Sequence, residues 1–101
     1  MAQVVINIAS ATTTTVVSAR VGETIKVQKL VLFIAGANNL TWQDSDSTAI
    51  FPIMAFGAAG SMVLDEQGEA WMTCAIGTGL ELVTSTSQQV SGRLYYTQAV
   101  V

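Results

Sequence analysis

Several residue types on which catalysis depends are scarce or missing in this chain of 101 residues. It contains no histidine, one cysteine and one proline. Without histidine, a serine or cysteine nucleophile lacks its usual base, and neither lysine falls in a Ser-x-x-Lys arrangement. The lone Cys74 cannot close an intrachain disulfide, and the alternating run around it predicts a buried structural thiol. We therefore predict that the protein is not an enzyme, with no catalytic residue and no cofactor.

Charged residues are the second deficit. They make up 11% of the chain, and the net charge is -3, whereas soluble domains usually carry about 25%. So little charge predicts that part of the surface meets protein, in an oligomer or on a larger particle. The four cations, Arg20, Lys26, Lys29 and Arg93, are far apart along the chain, which argues against nucleic-acid binding through phosphates.

Long hydrophobic runs are also absent. The longest apolar stretches are 30–37 and 49–59, the second broken by Pro52, and both fall short of the roughly 18 residues that span a bilayer. The first residues lack the basic leader and apolar segment of a signal peptide. We expect no membrane contact and no secretion.

What the sequence does contain is a series of short β-prone runs separated by Gly, Asn, Asp and Ser. Turn signals recur roughly every 8 to 12 residues, a spacing typical of sandwiches and barrels. We predict one all-β domain over residues 1–101, an antiparallel β-sandwich of about eight or nine short strands. The predicted strands are Gln3–Ala9, Thr13–Ala19, Thr24–Ala35, Asn39–Gln43, Ala49–Met54, Ser61–Leu64, Ala70–Ala75, Leu80–Thr84 and Val90–Val100.

Two strands have an informative residue pattern. In the last strand the apolar positions alternate, so the side of Val90 and Leu94 should face the core. The strand from Thr24 alternates at first and then becomes continuously apolar from Leu30 to Ala35. This change predicts a bulge near Lys29, or a strand covered on both faces, the outer one by a neighbouring subunit.

Three polar segments resemble ligand sites but fit turns better. Asp44 and Asp46 have the spacing that begins a calcium loop, yet the sixth position is not glycine and the twelfth is not glutamate. We predict a solvated turn and no metal site. The acidic residues of 65–69 predict a charged hairpin tip, and 77–79 predicts a hairpin turn rather than a phosphate loop because a strand pattern follows it.

The best candidate contact surface lies around Pro52. Proline cannot donate a hydrogen bond within a central strand, so this apolar segment should lie at a sheet edge or in a loop, where large apolar groups invite a partner. Core packing is the alternative. The candidate protein-interface residues are Phe51, Ile53, Met54, Phe56 and Trp71. Residues 1–10, uncharged and β-prone, are a candidate N-terminal arm or swapped strand.

The order of these segments resembles that of small virion proteins of tailed phages. The resemblance covers about residues 20 to 98 and departs from the pattern at Met72 and Cys74, where small polar residues are expected. It is carried by the segments 25–32, 35–37, 50–56, Gly60, the strand of Trp71, Gly77, 80–82 and 90–96.

The resemblance implies a jelly-roll-like sandwich and a capsid decoration, or cement, protein. Such a protein is made in the host cytoplasm and bound as trimers to the major capsid protein on the virion surface. No functional residue is implied. The alternative is a receptor- or glycan-binding head of a tail or head fibre, which predicts that Trp42 or Trp71 is exposed beside the acidic turn at Asp44 and Asp46.

Overall fold

The computed structural model describes residues 1–100. In this range the chain forms nine β-strands and no helix. The strands are β1 (Ala2–Ile8), β2 (Thr13–Val17), β3 (Glu23–Ile34), β4 (Asn38–Asp44), β5 (Met54–Phe56), β6 (Gly60–Leu64), β7 (Met72–Thr73), β8 (Leu80–Thr84) and β9 (Val90–Val100). Seven of the nine predicted runs correspond closely to these strands, because each combines β-branched residues with flanking turn residues, and the predicted run Ala70–Ala75 contains only the two-residue β7.

The strands form two antiparallel sheets. The long sheet has the order β1-β9-β3-β6, with β7 also paired to β3, and the short sheet has the order β2-β8-β4-β5. The chain crosses from one sheet to the other after β1, β2, β3, β5, β7 and β8. These orders and crossings are those of a jelly roll. The predicted fold class, an antiparallel jelly-roll-like sandwich, is confirmed.

The core lies between the sheets and is built by alternate residues of each strand. In the short sheet, Trp42 of β4 is completely buried between Leu40 and the residues of β8. In the last strand, Val90 and Leu94 are buried as predicted. Because successive side chains of a strand point to opposite faces, the same alternation decides which residues remain outside.

A bulge in β3 accounts for its unusual pattern. Val27 pairs with Tyr96 of β9, but Lys29 pairs with Tyr95, so Gln28 is an extra residue on β3. The bulge near Lys29 is therefore confirmed. The extra residue places Leu30 and the alternate residues after it on the core side. Without it these residues would point outward.

Buried polar side chains hold the loops at one end of the sandwich. The Asn38 side-chain amide donates to the Gln88 carbonyl oxygen at 3.3 Å, and its oxygen accepts from the Ser85 and Thr86 amides at 3.0 and 3.2 Å. The Thr84 hydroxyl donates to the Ser10 carbonyl oxygen at 2.7 Å. These bonds fix the crossings between the sheets without any charged group.

Three local predictions were wrong. The strand expected at Ala49–Met54 is instead a loop with a single bridge between Gln43 and Ala49, and β5 begins only at Met54. Pro52 has no N–H to donate to a neighbouring strand, which explains why β5 begins only after it. The segment 77–79 is not a hairpin turn, since it connects β7 of the long sheet to β8 of the short sheet.

The acidic segment is not a hairpin tip either. Both β6 and β7 pair with β3, at successive positions along the same strand, and not with each other. Together they form one interrupted edge strand, and residues 65–71 are an excursion from it. A single sequence cannot distinguish these two arrangements, because both place polar residues between two strand patterns.

Candidate interaction surface

The five predicted interface residues lie along one side of the sandwich, where the edges of both sheets end at β5 and β6–β7. Met54 is buried in the core. Phe51, Phe56 and Trp71 are half-buried and pack against the core. Only Ile53 is mainly exposed, at 65% of its surface. At least four of the five therefore serve core packing, the alternative considered for this segment.

Trp71 also anchors the acidic excursion. Its indole Nε1–H donates to the carbonyl oxygen of Asp65 at 2.7 Å, and its amide N–H donates to the Val27 carbonyl oxygen at 2.8 Å. The ring thus joins the two ends of the excursion to the edge of β3. The indole N–H is therefore already hydrogen-bonded within the chain.

Trp42 is unsuited to stacking on a sugar. Its side chain is completely buried, and its indole nitrogen has no hydrogen-bond partner. The glycan-binding alternative predicted that Trp42 or Trp71 is exposed beside the acidic turn, and Trp42 is not exposed. The burial follows from the alternation of β4, in which Leu40, Trp42 and Asp44 all point inward.

The predicted turn at Asp44 is confirmed, but Asp44 itself is buried rather than solvated. Its Oδ1 accepts hydrogen bonds from the amides of Asp46 and Thr48 at 2.9 and 3.1 Å. The carboxylate thus stabilises the turn itself.

Among the residues that the structure describes, no group of three or more acidic, cysteine or histidine side chains is placed to hold a metal ion.

The outer face of the long sheet carries several exposed large apolar side chains, and we call it the long-sheet face. Val5 of β1, Phe33 of β3 and Val63 of β6 are 65%, 58% and 59% exposed. The pairing register places Val5, Arg93, Val31 and Val63 in one row across the four strands. The next row contains Asn7, Ser91, Phe33 and Ser61.

This surface was indicated by one signal in the sequence. The continuous apolar run from Leu30 to Ala35 predicted either a bulge near Lys29 or a β3 strand covered on both faces. The structure shows the inner face of β3 buried, while Phe33 is exposed and Val31 only half-buried on the outer face. Within the described chain nothing covers this outer side.

The outer face of the short sheet is different in character. Its rows are Thr13, Val83 and Thr41, and Thr15, Glu81 and Gln43. The Gln43 side-chain amide donates to the Glu81 carboxylate at 2.8 Å. This face is mostly hydroxyl and amide groups that water solvates well. Of the two outer faces, only that of the long sheet carries several exposed large apolar groups.

Three of the four cations also lie on the long-sheet face. Arg93 is in the row of valines, Lys29 pairs with Tyr95 one row away, and Lys26 pairs with Thr97 beyond it. Lys26 and Arg93 are exposed, and Lys29 is half-buried. Sequence distance concealed this cluster, because β3 and β9 are neighbours in the sheet although about 60 residues separate their cations.

Lys29 has two contacts on this face. Its Nζ is 5.6 Å from the centroid of the Tyr95 ring and 3.7 Å from the Asp65 carboxylate. The Lys29 and Asp65 side chains are 38% and 78% exposed, and an ion pair this open to water contributes little to stability. The ammonium group therefore remains available to a partner.

The predicted N-terminal arm forms β1. It pairs with β9 of its own chain over seven residues and is an edge of the long sheet. The strand carries no charge, no proline and no bulge. Charges, prolines and bulges normally prevent an edge strand from pairing with a strand of another chain. Because β1 has none of them, its edge is open to such pairing.

Comparisons with protein-family models, with curated proteins and with solved structures found no match. No helix long and apolar enough to cross a membrane occurs among residues 1–100.

Cys74 is buried, as the sequence predicted. Burial raises the pKa of its thiol from 9.0 to about 11, and the negative charge of Asp44 contributes to the increase. The thiol is therefore protonated and unreactive at neutral pH.

This raised pKa predicts a loss of stability at alkaline pH. In the unfolded chain the thiol ionises near pH 9, whereas in the folded chain it stays protonated to about pH 11. The unfolded state therefore binds fewer protons in this window, and the free energy of unfolding falls as the pH rises, by about 2–3 kcal/mol. Urea titrations between roughly pH 8 and pH 11 should show a smaller decline for Cys74→Ala than for the wild-type protein. An equal decline in both proteins would contradict the assignment.

Proposed function

We propose that this protein is a non-enzymatic structural component of a phage virion, a capsid decoration protein that binds the major capsid protein through its long-sheet face. The observation that carries the proposal is the row that contains the exposed Val5 and Val63, next to the exposed Phe33, on an otherwise charge-poor chain. A face of this kind is typical of a protein that functions in contact with another protein.

Two further features support the proposal. The resemblance to phage virion proteins implied a jelly roll, and the chain has that topology. Jelly rolls are common in viral capsid proteins, although the same fold also hosts lectins. The buried position of Trp42 removes one of the two tryptophans on which a glycan-binding role depended.

Stabilisation of a shell would follow from burial of the long-sheet face. Each apolar Å² removed from water contributes about 25 cal/mol in gross terms, and symmetric assembly repeats the contact at every site. The open edge of β1 supplies a second contact, since a strand of a capsid subunit or of a sister protomer can pair with it through main-chain hydrogen bonds.

We further propose that the protein associates with itself as a trimer, away from the long-sheet face. Sedimentation equilibrium should give the mass of three chains, and a stable monomer at micromolar concentration would contradict this.

The docking proposal predicts that Phe33→Thr combined with Val63→Thr weakens binding to empty capsids by about tenfold or more, because the contact loses two exposed apolar groups. Threonine keeps the β-propensity of both positions. Val83→Thr, on the outer face of the short sheet, is the matched control and should bind as the wild type does. Co-sedimentation with capsids measures the three affinities.

The same assay separates the two functions that the sequence left open. Binding to an array of host-cell glycans, without binding to capsids, would contradict the decoration role and favour a fibre head. Equal capsid binding by the double variant and Val83→Thr would leave the decoration role but exclude the long-sheet face as the contact.

A further inference from the structure

We infer that the long-sheet face is built for a protein surface with an apolar centre and carboxylates at its rim. This inference rests on the proposed function, because it specifies the chemistry of the partner that docks there. It is drawn from the coincidence of exposed apolar groups and cations on one face of an acidic protein.

The charge of this face is opposite to that of the whole chain. Lys26, Lys29 and Arg93 lie in three successive rows, and the residues that share these rows are Gln3, Val5, Val31, Val63, Thr73, Tyr95 and Thr97. None of these strand residues is acidic, and the acidic neighbour of the face is Asp65, which follows β6 and lies 3.7 Å from the Lys29 ammonium group. The chain carries a net charge of -3, so three of its four cations are gathered where they oppose that charge. A positive patch of this kind selects a negative partner surface.

The geometry of Arg93 suits a carboxylate. Its row neighbours are Val5 and Val31, so a docked surface would exclude water around the guanidinium group. A guanidinium group forms paired hydrogen bonds with a carboxylate, and these strengthen when water is excluded. Lys29 and Lys26 follow at intervals of roughly 7 Å along β3, which places them toward one end of the contact.

A second copy of the chain does not fit this face. If two long-sheet faces met across a two-fold axis, six cations would share one interface, and the two copies of Asp65 would balance at most two of them. Like charges brought together in this way cost several kcal/mol per interface. This argument excludes a two-fold dimer through the long-sheet face, whereas the contacts of a trimer join different surfaces of neighbouring chains.

Nucleic acid fits less well than protein. Phosphates need cations along a continuous track, whereas here the row of Arg93 is otherwise valine and the next row contains Phe33. A phosphate backbone would leave these apolar groups facing hydrated charge. An apolar protein surface buries them.

Capsid binding in a salt series tests the inference. Raising the salt concentration from about 0.1 M to about 1 M shortens the screening length from about 10 Å to about 3 Å, and the wild-type affinity should fall. Lys29→Gln combined with Arg93→Gln should bind about tenfold more weakly at low salt and show a smaller salt effect. Arg20→Gln removes the one cation outside this face and is the matched control. Each variant should keep the wild-type melting temperature.

Immobilised synthetic peptides test the partner chemistry without capsids. One set alternates Glu with Val and Tyr, a second replaces Glu by Lys, a third replaces the apolar residues by Ser, and duplex DNA is the fourth probe. We expect the first set to bind best and its binding to depend on Lys29 and Arg93.

The two assays have distinguishable outcomes. Binding to the acidic apolar peptides without capsid binding supports the inferred chemistry and contradicts the decoration role. If capsid binding changes neither with salt nor with the Lys29 and Arg93 substitutions, the decoration role is supported and the inferred charge complementarity is overturned. Preference for the basic peptides or for DNA, or failure to bind any acidic peptide, also overturns it.

Discussion

Gly92→Ala is expected to destabilise the protein by roughly 3 kcal/mol or more, and to lower its melting temperature by roughly 10 to 20 °C. Gly92 is in β9 and pairs with Leu32 of β3 and Ile6 of β1. A Cβ atom built on it would overlap the carbonyl oxygen of Val31 and lie 2.9 Å from the Val31 carbonyl carbon. These are backbone atoms of the neighbouring central strand, so no side-chain rotation can relieve the contact, and the two strands must move apart.

Gly57→Ala is the matched control. A Cβ atom at Gly57 meets nothing within 4 Å, and Gly57 is not among the glycines with positive φ. The control should therefore be neutral or slightly stabilising. Thermal and urea unfolding measure both variants. If Gly92→Ala unfolded like Gly57→Ala, the close approach of β3 and β9 at this point would be wrong.

Gly92 also bears on the long-sheet face. Gly92 precedes Arg93 in β9, and its backbone lies against that of Val31, the residue of β3 that pairs with Arg93. A shift of β9 away from β3 would therefore separate the cation from the neighbouring valine. We therefore expect Gly92→Ala to weaken any docking at this face as well.

Trp42→Ala is expected to cost about 3–5 kcal/mol, because it removes the largest fully buried side chain. Trp42→Phe should cost much less than Ala. Phenylalanine keeps most of the apolar volume and eliminates the indole N–H, which is buried without a hydrogen-bond partner. Urea unfolding of the two variants measures the difference.

The comparison also tests the place of Trp42 in the fold. A tryptophan that formed an exposed platform would tolerate alanine with little loss of stability. Equal and small effects of both substitutions would therefore contradict the burial of this residue. Trp71, which is half-buried at the edge, should remain the more solvent-sensitive of the two fluorophores.

The strands of this protein could be read from its sequence because their physical causes are local. Turn residues interrupt β-prone runs, and the alternation in β9 identified the buried Val90 and Leu94. A bulge near Lys29 was one of the two explanations for the change of alternation within β3, and the structure shows it, with Gln28 as the extra residue.

The interface candidates show the limit of this reasoning. An apolar edge segment and an apolar core segment have the same composition, so Met54 and Phe51 could not be assigned to one or the other from sequence. Whether such a residue is buried in the core or exposed to a partner depends on where it lies relative to the edges of the two sheets. Here β5 and β6–β7 end on the same side of the sandwich, and these side chains pack against the core there.

The shortage of charge, the absence of histidine and the alternating strands were determined by the sequence alone, because composition and local periodicity do not depend on which strands are neighbours. Only the tertiary structure decided that β3 and β9 lie side by side, and that Lys26, Lys29 and Arg93 therefore share one face with Val5, Phe33 and Val63. The pairing of strands distant in sequence creates this surface, and a pattern read along the chain cannot contain it.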